Sequence, residues 1–306
     1  CYRELRNRFP TVDFTDCYMN PIMRKSGLSP DQLMRRQLYS LVRPQTPDGG
    51  VNILGNCFPT DETSELVKIV RKTGRPLRDI TACKTYEDYQ HMGASNVHIA
   101  YNPPAKAGAQ ALSDRLGGTF LYLPLSFTKE TIRKNLRLLC ETLGTDYDAS
   151  RDEEKAEAAL HHAKQLLGET EIAIDYTAVP APMSLARCLL THGFRVTRIY
   201  ADSIAADDLE DFRWLQENAP ELELYATVQV KLRVLPRQTQ APTLAIGQKA
   251  AYFTGTKHFV NIVEGGGLFG FDGLRRMAEL MEEAFETERD ARNFIQQKGL
   301  GCESCL

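Results

Sequence analysis

The chain has 306 residues, enough for two compact domains or one large one. Apolar residues make up 42% and charged residues 25%, and the formal net charge is -3. This is the balance of a globular protein with no nucleic-acid footprint, no polybasic membrane patch and no apolar run of transmembrane length. The first residue is Cys1 and a charged stretch, CYRELRNRF, follows. Together they imply that further residues precede this sequence. Eight cysteines at irregular spacing in a chain of this length read as cytoplasmic thiols, not as a secreted disulfide framework.

In chain order, VDF (12–14) reads as the close of a strand belonging to an upstream domain. Ser29-Pro30-Asp31 reads as a helix cap with proline in the first turn, and a helix runs through LMRRQLYSLV until Pro44 and Pro47 stop it. VNILG (51–55) shows no alternation, which suits a strand buried on both faces. A helix follows, ETSELVKIVRKTG, with Gly74 at its C-cap. A strand near PLRDI, a helix near TYEDYQHM and the strand VHIAY (97–101) come next. The helix AKAGAQALSDRLG, the strand TFLYL and the long helix FTKETIRKNLRLLCETLG carry this parallel α/β unit to about Gly144.

The charge-rich stretch from 145 to 168 reads as a hinge or exposed helix. Its adjacent His161 and His162 point in different directions on a helix and do not form a metal pair. A second unit opens at EIAIDY (171–176). It continues through the helix MSLARCLLTHG, the strand FRVTRIY, the helix AADDLEDFRWLQEN and strands near LELY and TLAIG. IGQKAAYFTG reads as a strand-to-helix junction. The helix GFDGLRRMAELMEEAFETER and a helical tail to GLGCESCL end the chain. The expected fold is α/β, with repeated Rossmann-like domains on parallel sheets. The boundaries are 1–48 (remnant of an N-terminal domain and connecting helix), 49–145, and 146–306.

Several cysteines stand where such folds bind ligands. Cys57 directly follows a buried parallel strand and Cys83 follows the next one, at strand ends where ligand sites gather. Each reads as a cluster ligand or, near a helix N-terminus, as a reactive thiol. Cys17, just past the expected first strand, is either a thiolate ligand or a small buried apolar residue. Cys302 and Cys305 form a C-x-x-C pair, half of a tetrahedral site or a redox couple, in what is otherwise a plain tail. Cys140 and Cys188 fall on apolar helix faces and read as core. His258 is a candidate proton donor or ligand against the plainer reading of a loop histidine. Lys249, near a helix N-terminus, is placed to meet an anion. The run Gly265-Gly266-Gly267 and the turn Gly270-Phe271-Asp272-Gly273 offer an anion cradle or a tight turn; no Walker A lysine follows, and they do not open a βαβ unit.

Taken together, three segments resemble one family. SNVHIAYNPPAKAGAQALSDRLGGTFLYLPLSFTKETIRKNLRLLCETLG resembles the second domain of nitrogenase component 1 proteins. LAIGQKAAYFTGTKHFVNIVEGGGLFGFDGLRRMAELMEEAF resembles the third, with Gly270-Phe271-Asp272-Gly273 as its mark. VNILGNCFP resembles the strand that opens the second domain, and the likeness stays in register from about residue 8 to 290.

The resemblance implies three Rossmann-like domains per subunit, with most of the first not present here. It also implies homo- or hetero-oligomers of similar subunits, and electrons drawn from an ATP-dependent iron-sulfur reductase. On this reading an iron-sulfur cluster is the expected cofactor, with Cys17, Cys57 and Cys83 as metal ligands and Gly265 and Gly266 as backbone contacts. Lys249 matches a lysine near the organic-acid part of the family's cofactor site. Departures matter as much. Ile99 stands where the catalytic nitrogenase subunit has its cofactor cysteine. Val260 stands near its histidine, and Thr177-Ala178-Val179-Pro180 has no arginine. These argue against an iron-molybdenum cofactor held in the nitrogenase manner. The expected function is a cytoplasmic nitrogenase-like oxidoreductase subunit. The alternatives are a metallocofactor or tetrapyrrole scaffold or carrier, and a metal-free binding protein that keeps only the fold.

Overall fold

The computed structural model describes residues 2–17, 27–234 and 241–290. Cys1, Cys302, Cys305 and the expected C-terminal helical tail lie outside them. The chain divides into two compact units. One comprises Cys1–Pro59 and Val70–Pro124, the other Thr60–Ile69 and Leu125–Leu306. Each is built on an all-parallel sheet flanked by helices, the α/β architecture expected.

In the first unit, α1 (Tyr2–Arg8) is followed by extended chain, and no strand forms at 12–14. The VDF run has no neighbouring strand to pair with, and a three-residue apolar run is too short to specify one alone. Helix α2 (Pro30–Ser40) starts on a complete capping box. Ser29 Oγ accepts from Gln32 N at 3.2 Å, and Gln32 Oε1 accepts from Ser29 N at 2.8 Å. Ser29→Ala is expected to lower stability by about 1 kcal/mol, read as a lower denaturation midpoint at unchanged slope.

Strand β1 (Gly50–Leu54) is buried along its whole length. It leads through α3 (Glu65–Lys72), whose last turn returns the chain to this unit, into β2 (Leu77–Asp79). Helix α4 (Tyr86–His91), β3 (Ser95–Ala100), α5 (Lys106–Leu116) and β4 (Thr119–Tyr122) complete it. The strand order is β2-β1-β3-β4, with Ile53 opposite Ile99. The helix read from the sequence as a connector packs here: Tyr39 and Val42 share a core with Leu54, Ala100, Ala105 and Leu112. Gly108 admits it, because a Cβ there would lie 2.9 Å from the Tyr39 ring.

Two polar residues interrupt this apolar sheet. Asn52 and His98 are fully buried on adjacent strands, with Asn52 Nδ2 3.0 Å from His98 Nδ1 and 2.8 Å from the Met92 carbonyl. Asn52 Oδ1 and His98 Nε2 have no partner in the protein.

The second unit takes α6 (Lys129–Leu143), α7 (Ser150–Leu167), β5 (Glu171–Asp175), α8 (Pro182–Thr191), β6 (Arg195–Tyr200), α9 (Leu209–Asn218), β7 (Glu223–Tyr225) and β8 (Thr243–Ile246). Helix α10 (Gln248–Thr254), β9 (Phe259–Val260) and α11 (Gly270–Glu286) close it. Its strand order is β7-β6-β5-β8-β9. Helix α6, which the sequence reading placed at the end of the first domain, groups with this unit and packs against α11. Strand β9, two residues long, carries too little pattern to be seen in the sequence.

The Gly270-Phe271-Asp272-Gly273 turn has a direct physical cause. Glu65, fully buried, accepts from Asp272 N at 2.9 Å, and so caps α11 from a distant segment. Its other oxygen lies so close to Gly270 that a Cβ there would sit 2.1 Å from it, and Gly270 also has φ +72°. Gly273 is tight against Leu268, at 3.1 Å from a would-be Cβ.

Candidate functional site

In an open parallel sheet, ligands collect beyond the carboxyl ends of the strands, where neighbouring strands lead their connections in opposite directions. The order β2-β1-β3-β4 puts that point between β1 and β3; the order β7-β6-β5-β8-β9 puts one between β5 and β8. Each is a crevice within its own unit.

At the first crevice stand Gly55, Asn56 and Cys57 after β1, and Tyr101 and Asn102 after β3. Cys57 is exposed. Arg35 of α2 is aimed at it. The Arg35 guanidinium donates to Asp31 Oδ1 at 3.0 Å, to the Gly55 carbonyl at 2.8 Å and to Cys57 Sγ at 3.7 Å. Burial opposes the Arg35 charge, yet Asp31 and then Cys57 more than offset it and hold its pKa above the ordinary value. Asn102 Nδ2 reaches the same Gly55 carbonyl at 3.4 Å, and Asn56 Nδ2 lies 2.9 Å from the Asp79 carboxylate. The carbonyl oxygens of Asn56 and Asn102, residues 6% and 3% exposed, have no partner in the protein.

Cys83 also follows a strand, but it is half-buried against the apolar core of this unit. Burial first, then the carboxylates of Asp88 and Asp79, push its thiol up and disfavour the thiolate. Cys17 is exposed, in extended chain. Among the described residues no three His, Cys, Asp or Glu side chains come together in a way that could hold a metal ion. Cys17, Cys57 and Cys83 therefore do not form one shared ligand set.

At the second crevice the centre is a residue the sequence reading passed over. Asp175, fully buried, ends β5. One oxygen accepts from Thr177 N at 2.9 Å and Ala178 N at 3.1 Å, and the other from Ala250 N at 2.8 Å, inside the first turn of α10. Burial raises its pKa, while these donors and the Lys249 charge act to lower it. Gly247 is required beside it: a Cβ would fall 2.2 Å from Asp175 Oδ2, and φ is +106°. Lys249 is 4% exposed, and its ammonium donates to the Tyr176 hydroxyl at 2.8 Å and lies 4.5 Å from that ring's centroid. So Lys249 stands at the start of α10 with its ammonium held against Tyr176.

His258 is at the other end. It precedes β9, so it lies by the amino ends of the parallel strands, away from the crevice. Its Nδ1 is 3.1 Å from the Ala284 carbonyl in the last turn of α11, a helix-end anchor placed where the macrodipole welcomes a donor. This placement removes the case for His258 as a proton donor at the crevice. Gly265 and Gly266 follow β9 on the crevice side, but their N–H groups are committed. Gly265 N donates to the Ala178 carbonyl at 2.7 Å, and Gly266 N to Val263 at 3.0 Å. With φ of +80°, +56° and +85°, Gly265, Gly266 and Gly267 make a tight turn, not an open anion cradle.

Cys140 and Cys188 are buried as expected. Cys188 has His192 Nδ1 at 3.8 Å, and His192 has Glu157 at 3.3 Å, which resembles a nucleophile–base–acid chain. Burial first pushes the Cys188 thiol up to about 12, so the thiol is inert. The signals for the missed residues were faint: an acid ending an otherwise apolar strand for Asp175, and an Asp31–Arg35 pair one helical turn apart for Arg35.

No helix among the described residues is long and apolar enough to cross a membrane. No curated protein matches the sequence. Among solved structures, one titled "Nitrogenase Cp1 at pH 6.5" superposes with a TM-score of 0.60 at 14% identity. The match covers 88% of this chain and 66% of that one, so this chain spans just under two thirds of its length. Helicobacter pylori Ceue with Ni(II) bound (TM-score 0.37, 13% identity, 79% of this chain and 87% of that one) is too distant to carry an argument. So is aspartate transcarbamoylase from Trypanosoma cruzi (0.26, 13%, 83% and 92%). The profile of the nitrogenase component 1 type oxidoreductases matches residues 31–286, most of the chain. The profile covers well over half of the chain, so the chain belongs to the nitrogenase component 1 type oxidoreductase family.

Proposed function

We propose that this chain is a nitrogenase-like oxidoreductase subunit that presents a thiol ligand to a metallocluster, with an iron-sulfur cluster as the expected type. It works in an oligomer of similar subunits, in the cytoplasm, and takes electrons from an ATP-dependent iron-sulfur reductase to reduce its substrate. The observation that carries the reading is Cys57: an exposed thiol at the β1/β3 crevice with a guanidinium against its sulfur. A soft thiolate suits iron.

The described residues do not fit a self-contained cluster, since they bring no three ligating side chains together. The remaining ligands therefore come from outside them. What this chain's own residues do is bind and orient. Arg35 holds Cys57 at the first crevice, and Lys249, through Tyr176, sets a positive charge at the second.

Iron and acid-labile sulfide on anaerobically purified protein, alone and with its partner subunit, test this. Roughly two or more irons per chain with matching sulfide are expected, falling by at least about half in Cys57→Ser as one thiolate is lost. Iron-free protein in both preparations, or a Cys57→Ser variant that keeps all its iron, would sink the assignment.

A further inference from the structure

Strand β7 is the outermost in the order β7-β6-β5-β8-β9, so one of its sides meets no strand among the described residues. Beside it an open cavity of about 370 Å³ is lined by Phe212 and Leu215 of α9 and by Leu222 and Leu224, and Leu224 is 43% exposed. Just beyond β7 the chain forms a strap, residues 226–234. Asp202 pins it, accepting from Thr227 Oγ1 at 2.8 Å and from Val228 N at 3.0 Å, and Leu232 is buried in one cluster with Tyr200 and Tyr225. These anchors leave Val228, Val230 and Val234 exposed by 62%, 66% and 81%. An open apolar cavity and a row of exposed valines on one edge mark a contact surface, because both leave hydrocarbon in water. Charge says what covers it. Residues 205–223 carry seven acids and one base, and residues 226–240 carry three bases and no acid. Glu217 and Glu221, chain neighbours of the cavity residues Gln216, Pro220 and Leu222, are exposed, and so is Lys231 on the strap.

We infer that this edge docks a second copy of the chain, by a two-fold contact in which each strap lies against the other copy's cavity. An edge that is acidic and apolar on one side and basic and apolar on the other complements itself under a two-fold rotation, which brings each side onto its opposite twice. Valines of one strap enter the cavity between α9 and β7 of the partner copy, and Lys231 faces the partner copy's acidic rim at Glu217 and Glu221. The same contact covers the open side of β7, which would otherwise be free to pair with unrelated strands. The inference rests on the oligomer in the functional reading and names its surface. It does not depend on metal, so pairing and iron content are read separately: an iron-bearing monomer overturns the interface alone, and an iron-free dimer overturns the cluster alone.

Sedimentation velocity on the 306-residue chain over the micromolar range, with a charge swap, tests this. A dimer is expected, and added salt should shift it toward monomer. Two variants are compared, Lys231→Glu and the double variant Glu217→Lys with Glu221→Lys. Each puts like charges at both symmetry-related contacts and is expected to weaken pairing at least about tenfold. All three positions are exposed, so neither variant disturbs the core. An equimolar mixture of the two variants should recover the wild-type affinity as a mixed dimer, because every contact in that pair again joins an acid to a base. A chain that stays monomeric throughout, a dimer indifferent to either variant, or a mixture that pairs no better than its components overturns the inference. So does a chain that pairs only with a different subunit.

Discussion

Acidification from pH 7 to pH 4 is expected to strip about 3 kcal/mol from the first unit through one side chain, His98. Burial between β1 and β3 lowers its pKa from 6.5 to about 4. The imidazole is neutral in the fold, accepting at Nδ1 from Asn52, and no carboxylate is at hand to stabilise a cation. The sign follows from linkage. In the unfolded chain the ring protonates near 6.5, while in the fold it resists until about 4. Between those values the unfolded state binds more protons, so stability falls as pH falls, and the contribution is fully present only above 6.5. The measurement is native-state amide exchange in β1 and β3 across this range, on wild type and His98→Gln. The wild-type curve should fall more steeply, and parallel curves would show that His98 does not carry the effect.

The second unit should respond in the opposite direction through Glu65. Burial raises this carboxyl from 4.5 to about 7, because its two backbone donors, its own N–H and Asp272 N, do not offset the lost hydration and the nearby charges, Asp152 and Asp272, are of like sign. Here the folded state holds its proton longer than the unfolded state. Stability is complete below 4.5 and is lost as pH rises through about 7, again by about 3 kcal/mol. Asp208 is raised to about 7 by burial, and acts in the same direction. A single variant therefore has to isolate Glu65. Glu65→Gln keeps an acceptor for Asp272 N and cannot ionise. It should match wild type at pH 4 and exceed it by up to about 3 kcal/mol at pH 8. The chain's one tryptophan, Trp214, lies on α9 of this unit and reports its unfolding by fluorescence. Should Glu65→Gln be weaker than wild type at pH 8, the protonated, remote-cap account of Glu65 is wrong.

These two residues show where local reading of a sequence stops. Strand and helix alternation was legible because it is written in short-range pattern. Mainly apolar runs without alternation, such as VNIL and EIAI, marked the central strands, and Ser29-Pro30 and Gly74 marked helix ends by their own backbone preferences. The position of Cys57 just past a buried strand was enough to make it a candidate, since strand ends are where parallel sheets keep their sites. The glycine turn at 270–273 was visible as a motif. Its cause was not, because it lies in the carboxylate of Glu65, 205 or more residues earlier.

The remainder depended on which strands became neighbours. Strand order places the crevices between β1 and β3 and between β5 and β8, and no periodicity encodes it. Once they are fixed, Asp175 and Lys249, far apart in the chain, share one crevice, whereas His258 falls at the amino ends of the strands. Arg35 meets Cys57 only because α2 docks on the first sheet. Cys83, equivalent to Cys57 by sequence position, is set apart from it by burial. The sequence determined the elements, the fold class and the family, because local sterics, hydrophobic period and motif order suffice for those. Which thiols face a cation and which carboxyls hold a proton was decided by tertiary packing, because charge and desolvation depend on neighbours brought together only by folding.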